Sequence, residues 1–370
     1  MIRVDDVARI VENHFPRDCA LPGDSIGLQS GDARKTVRGI LVALDPSPEA
    51  IRRARTLKAN LLIAHHPLLH EPLKSIDTTS LTGSAVRDAL AGDIAVYAAH
   101  TNLDAAPQGL ARELARRIGL VQVNPFPDSF TGRWLKLAVF VPEGDAGKVH
   151  RAMAAAGAGH VGRYDLCAFT VAGEGMFRPL KGARPALGST GRLEKVREAR
   201  LEMLVEKRLS AGVIAAMKKT HPYEEVAYDL YPLLQPDGAG IGCAGVVKGI
   251  SPGRLARRLA DRFKAEVRLS GRPPSLVTRV AVVPGSGGSY LQEARRKGAE
   301  IMVTGEVRYH QMLEAEHLGM GIMELGHDRS EMPAVDLLAG VVRRGLRKEK
   351  KTVRVHTYRR TRAAGSLIRK

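Results

Sequence analysis

The chain has 370 residues, 44% of them hydrophobic, with 57 Lys/Arg against 39 Asp/Glu and a formal net charge of +18. Two or three domains are expected at this length, and no apolar run approaches the ~20 residues that span a bilayer. Aromatic content is 4%, with Trp134 the one tryptophan, which argues against stacking platforms for single-stranded nucleic acid.

The opening MIRVDDVARIVENHF reads as an amphipathic helix and lacks the apolar stretch of a signal peptide. Cys19, Cys167 and Cys243 are far apart and form no C-x-x-C pair, so a cytoplasmic protein with reduced thiols is expected. VRGILVAL (37–44) predicts a strand, PSPEAIRRARTLKA (46–59) a helix and NLLIAHH a second strand. GSAVRDALAG predicts another helix and DIAVYAAHTNLD a third strand with a polar end. Such alternation implies a parallel α/β sheet whose ligand-binding residues gather at the strand carboxyl ends.

The middle of the chain, roughly 130 to 235, reads strand–helix–strand–strand–helix–strand, the order of a ferredoxin-like sandwich. HPYEEVAYD (221–229) reads as its last strand with a capped start, or as a rim that a subunit or small ligand touches. The last third repeats the first plan, with strands VTRVAVVPG, EIMVTGEV and MGIMELGHDRSE separated by helices GSYLQEARRKGA and YHQMLEAEHLG. ANLLIAHH aligns with AEIMVTGE, and DIAVYAAHTNLD with MGIMELGHDRSE. The expected class is therefore α/β: two similar halves, residues 1–128 and 237–348, around an inserted α+β domain at 129–236. A basic tail follows at 349–370. From Val341 to Lys370 there are twelve Lys/Arg and one acid, Glu349. A solvated end is the first expectation for such a block and a nucleic-acid contact the second.

His65 and His66 follow an apolar strand and precede Pro67. Adjacent side chains of a strand point to opposite faces, so both imidazoles can serve one centre only where the backbone turns. Otherwise each reaches a different ion. Asp104, His327 and Glu331 also fall at predicted strand ends, giving three imidazoles and two carboxylates without a nearby thiolate. That donor set suits Zn, Mn, Fe or Co, and five ligands suit two divalent metal ions bridged by a carboxylate. For Asp104 the structural alternative is a turn or cap, and for Glu331 an acid in a helix first turn. His100 reads as a turn anchor or a residue behind the ligands. Glu306 and His310 are spaced to face one another at a helix start, as a proton shuttle or a polar helix face. PGSGGSY (284–290) reads as a tight turn in preference to a phosphate cradle.

The segments GDSIGLQSGD, LLIAHHPLLHEPLKSI, AAHTNLDAA, MVTGEVRYHQMLEA and GHDRSE, in that order, resemble the GTP cyclohydrolase 1 type 2 homologue family, the Ngg-one-interacting-factor-three-like dimetal proteins. The resemblance covers nearly all of residues 1 to 340 and extends to the longer bacterial form, whose insert is PII/CutA-like. It implies that His65 and Asp104 bind one ion, that His66 and His327 bind the other, and that Glu331 bridges them. It also implies a homohexamer built from trimers and a metal-dependent hydrolase of a nucleotide-like small molecule, with Glu306 or His310 moving protons. A non-enzymatic metal-binding scaffold is the rival reading. In the family's usual pattern an aromatic-Ala-Thr filling stands where GHDRSE has Asp-Arg-Ser, and the tail beyond Lys348 exceeds what the family core needs.

Overall fold

The strands Gly39–Ala43, Leu61–Ala64 and Ala95–Ala98 are buried at every position, as strands of a parallel sheet covered on both faces must be. In the computed structural model, which describes residues 1–127, 134–233 and 238–360, they form the centre of a five-stranded sheet. Leu61 pairs with Ile40 on one side and Ala95 on the other, all in parallel. Gly27–Ser30 closes one edge antiparallel to Ala95–Ala98.

A six-stranded sheet follows the same order. Val277–Ser286, Ile301–Glu306 and Gly321–Glu324 run parallel, and Arg268–Gly271 closes the edge antiparallel to Gly321–Glu324. Gly242–Ile250 and Val121–Phe126 extend the opposite side. One apolar core joins both sheets: Val42, Ile63 and Tyr97 from the first, Val282, Val303 and Met323 from the second. Leu110, Leu114, Leu259, Val335 and Leu338 belong to the same cluster, contributed by the helices Leu110–Ile118, Pro252–Phe263 and Pro333–Lys348. These elements make up one compact unit, Met1–Ser129 with Gly238–Lys370. No helix of the described residues is long and apolar enough to cross a membrane.

The described part of the basic tail, residues 349–360, departs from the expectation of a solvated end; residues 361–370 lie outside the described residues. Arg354–Thr357 is a strand, parallel to Gly39–Ala43 with Arg354 opposite Gly39, and the Tyr358 amide donates to the Val42 carbonyl at 2.8 Å. Backbone pairing, to which charged side chains are no obstacle at a sheet edge, holds this segment together with the packing of Val353 and Val355 on the core. A chain ending at Lys351 leaves the Gly39–Ala43 edge unpaired. Its unfolding temperature is expected to drop by about 2–4 °C for each kcal/mol lost, read by calorimetry; an unchanged value would show that the strand contributes nothing.

Two polar ends assigned to strands are short helices instead. Thr101–Ala105 follows Ala95–Ala98, and His327–Glu331 follows Gly321–Glu324. Gly326, at φ +88, makes the turn into the second of them, a conformation that costs other residues a Cβ clash.

The second unit, Phe130–Asp237, has strands Trp134–Pro142, Ala168–Phe177, Glu194–Glu206 and Tyr228–Pro232 in one antiparallel sheet. The second strand lies at one edge and the fourth at the other, with the third and first between them. Ala146–Ala155 and Ser210–Thr220 cover one face. Val149, Met153, Val213 and Met217 pack there on Leu137, Val139, Leu201 and Met203. The HPYEEVAYD segment is only partly strand, which begins at Tyr228. The His221 ring holds the preceding turn, donating from Nε2 to the Phe140 carbonyl (2.9 Å) and accepting at Nδ1 from the Tyr223 amide (3.1 Å).

Candidate functional site

Parallel strands end on the same side, and in the first unit their carboxyl ends bring the predicted ligands into one cluster. Past Ala64 the chain makes two more pairing bonds, His65 N–H to Ala43 O and His66 N–H to Leu44 O. The His65 and His66 rings then lie 5.0 Å apart. His100 and Asp104 come from the turn and short helix after Ala95–Ala98, and His327 and Glu331 from the corresponding helix of the other sheet.

Each of four imidazoles is anchored through Nδ1. His65 Nδ1 bonds the Ala99 carbonyl (2.9 Å), His66 Nδ1 Asp45 Oδ1 (2.7 Å), His100 Nδ1 Asp24 Oδ1 (2.8 Å) and His327 Nδ1 Glu306 Oε1 (3.0 Å). The Nε2 atoms are thereby left for the cluster. His66 Nε2 is 2.8 Å and His327 Nε2 3.1 Å from Glu331 Oε2. His65 Nε2 is 3.9 Å from Glu331 Oε1 and 3.6 Å from Asp104 Oδ1. Donor atoms of His66, His327 and Glu331 fall within 4.8 Å of one another, and so do those of His65, His66 and His100.

His65 is fully buried, Asp104 is 6% exposed and Glu331 4%. Two polar atoms at the centre, His65 Nε2 and Asp104 Oδ1, are buried without a hydrogen-bond partner among the described residues. Leaving such atoms unsatisfied costs roughly 1–3 kcal/mol each, a cost that a cation between them removes. Anchored imidazoles, inward carboxylates and two orphaned donor atoms fit a divalent metal, and N/O ligands with carboxylate or carbonyl support behind each histidine are what such ions use.

The electrostatics follow from the same contacts. Burial opposes protonation of His66, but the bonds to Asp45 and Glu331 outweigh it and raise its pKa to about 10. The Glu331 bond raises His327 to about 9. Burial raises Asp104 to about 6. Burial also pushes Glu331 upward, yet His327, His65 and His66 hold it well below the usual carboxylate range.

Two glycines make room for this packing. A Cβ on Gly285, whose φ is +60, would sit 2.3 Å from Glu331 Oε1. One on Gly305 would meet the Ser330 hydroxyl at 2.7 Å. Ser330 accepts from the Gly285 amide (3.0 Å) and donates to the His327 carbonyl (2.8 Å), fixing the short helix. PGSGGSY, expected as a tight turn, is the end of the strand Val277–Ser286 followed by a 3-10 turn at Gly288–Tyr290, with Gly285 against the cluster. Gly285→Ala is expected to displace the Glu331 carboxylate. In NMR titration of chelator-treated protein, His66 and His327 should then move toward their ordinary pKa of about 6.5; unmoved values would contradict the close approach.

Glu306 closes the strand Ile301–Glu306, whereas His310 lies exposed on the helix Tyr309–His317 with its ring against Tyr309. The two do not share a helical turn. The bond from Glu306 to His327 makes it an orienting residue, and the cluster's described hydrogen bonds do not include His310. Asp24 and Asp45, which orient His100 and His66, were not singled out from the sequence. Neither was His70, whose ring stands 5.6 Å from His100. The only available signal was their position in loops after predicted strands or in GDSIGLQSGD.

A family model described as Duf34/NIF3 (NGG1p interacting factor 3) matches residues 2–363, so the match runs past Lys348 into the basic tail. The chain is 40% identical over 324 residues to the Bacillus subtilis "GTP cyclohydrolase 1 type 2 homolog", covering 87% of each. It is 33% identical over 355 residues to the Mycobacterium tuberculosis protein of the same name, covering 92% of each. Its structure is similar to that of the Bacillus cereus protein related to NIF3, with a TM-score of 0.86 at 35% identity over 99% of both chains.

Proposed function

This chain belongs to the Duf34/NIF3 family, and we propose that it is a dinuclear-metal hydrolase acting on a nucleotide-like small molecule. The observation that carries the reading is the pair of orphaned buried atoms, His65 Nε2 and Asp104 Oδ1, inside a ring of histidines anchored through Nδ1. His65 and Asp104 would hold one ion, and His66 and His327 the other. Glu331 would serve both, since its Oε1 faces His65 and its Oε2 faces His66 and His327. Zn, Mn, Fe or Co suit these donors, and two such ions supply Lewis acidity and the means to ionise water near neutral pH.

The protein's own groups do the orienting. The Ala99 carbonyl, Asp45 and Glu306 fix the imidazole tautomers so that each Nε2 lone pair faces the cleft. Tyr290 is half-buried, with its phenol pushed up by burial and by the charges of Glu293 and Asp104. The nucleotide-like substrate class rests on the name carried by the relatives. The matching strand order of the two sheets supports reading them as two halves of one core. The antiparallel β-α-β-β-α-β order of the Phe130–Asp237 unit supports the ferredoxin-like insert.

A homohexamer built from trimers is part of the proposal. The edge strand Ala168–Phe177 supports it, because Phe169 and Val171, on one face of it, are both exposed. Light scattering at micromolar concentration is expected to give six chains; a monomer would count against it. For the activity, metal-loaded protein should hydrolyse at least one member of a panel of nucleoside triphosphates, nucleotide analogues and phosphoesters. Silence across the panel, with metal bound, would leave the scaffold reading in its place.

A further inference from the structure

The Phe130–Asp237 unit contains a cavity of about 490 Å³, remote in sequence from every residue of the histidine cluster. Residues 199, 201, 203 and 205 of the strand Glu194–Glu206 pack on the helices, so alternation turns Glu198 to the other face. Phe140, Met176, Phe177, Leu180 and Leu187 form largely apolar walls. Glu198 lines the cavity at 8% exposure, and the Tyr223 hydroxyl donates to its Oε1 at 2.9 Å. The Tyr223 ring stands 5.8 Å from that of Phe177. A Cβ on Gly175 would lie 2.2 Å from Glu198 Oε2, so this glycine leaves the carboxylate its place.

A carboxylate among apolar groups needs a countercharge, and none of the described residues supplies it. Glu198 has no described ion pair. The nearby His221 ring is committed to the Phe140 carbonyl and the Tyr223 amide, and burial lowers its pKa, which keeps it neutral. Along the lining, Arg178 is the one cation, exposed, against Glu198, Glu224 and Glu225. The cavity is therefore acidic in a chain of net charge +18. A metal ion alone would find too few oxygens at Glu198, since hard cations take six or more. Anions are repelled. An organic cation meets both features, its charge on Glu198 and its body against the aromatic and aliphatic walls.

We propose that this cavity is a second ligand site, taking a small protonated amine with an aromatic or aliphatic body. Binding is measured by calorimetry and saturation-transfer NMR at pH 7 on full-length, EDTA-treated protein. The probes are 2-phenylethylamine, its neutral isostere 2-phenylethanol and the acid 3-phenylpropionate. The amine is expected to bind, the alcohol about tenfold more weakly or worse, and the acid not at all. Glu198→Gln should weaken the amine by about tenfold and leave the alcohol unchanged. Leu180→Trp, at an exposed rim position, should block both and covers the case in which Glu198→Gln does not fold. Glu331→Gln should bind the amine as wild type does, which separates this site from the histidine cluster. Equal binding of amine and alcohol, amine binding that survives Glu198→Gln or Leu180→Trp, or no amine binding would overturn the proposal.

Discussion

Chelator-treated protein is expected to lose stability as pH rises from about 6.5 to about 10, the reverse of a protein held by ordinary carboxylate pairs. His66 and His327 have pKa values raised to about 10 and about 9 by Glu331 and their anchoring carboxylates. Below the unfolded value of about 6.5 both states carry these protons, and the stabilisation is fully present. Above it the unfolded chain binds fewer protons than the folded one, so stability drains away until the folded imidazoles titrate. Asp104, raised to about 6 by burial, adds a loss of the same sign between its unfolded and folded values. Because both histidines share Glu331, their contributions overlap, and the whole effect is a few kcal/mol. Urea titrations at pH 6.5, 8 and 9.5 measure it. With metal bound the slope should reverse over pH 5–8, because protons compete with the ions for the same nitrogens. A flat profile in chelator-treated protein would mean that the three histidines and Glu331 do not form the contacts described.

The second large effect is expected from Glu331→Gln. The substitution keeps the shape and removes the charge that holds His66, His327 and His65. Breaking a buried pair of this kind costs about 3–5 kcal/mol, so the metal-free variant should be markedly less stable at pH 7. Its dependence on pH between 7 and 9.5 should also become shallower, without vanishing, because Asp45 and Glu306 still raise His66 and His327. Metal affinity should fall by more than the 10–100-fold typical of losing only an orienting partner, and hydrolytic turnover should fall with it. Glu306→Gln supplies the comparison: it alters an orienting bond to His327 alone, so it should stay within that 10–100-fold range. Equal effects of the two substitutions would place Glu331 on the periphery.

Much of this site was legible because its residues sit where apolar strands stop. LLIA and AVYA are recognisable as buried runs, and histidines placed just after them stand at strand carboxyl ends, where ligands of such sheets gather. His327 and Glu331 became visible through the likeness between the two strand ends. What stayed hidden depends on contacts distant in sequence. Asp24 and Asp45 are ordinary loop acids until the fold sets them 76 residues from His100 and 21 from His66 in the chain, yet within hydrogen-bond reach. Glu306 looked like a partner for His310 because a spacing of four suggests one helix; the strand continues through Glu306 and sends it to His327 instead. The tail strand was illegible for a different reason. Its apolar alternation is only two residues long, Val353 and Val355, inside a block of basic residues, and its place comes from main-chain bonds to Gly39–Ala43 together with the packing of those two valines.

The central claim is that two metals occupy the cluster, and the direct measurement is metal content per chain. Protein purified without chelators should contain two equivalents of divalent transition metal by mass spectrometry. Anomalous scattering should place one between His65 and Asp104, the other between His66 and His327, and Glu331 against both. A single ion, none, or ions bound elsewhere while the cluster stays protonated would contradict the account.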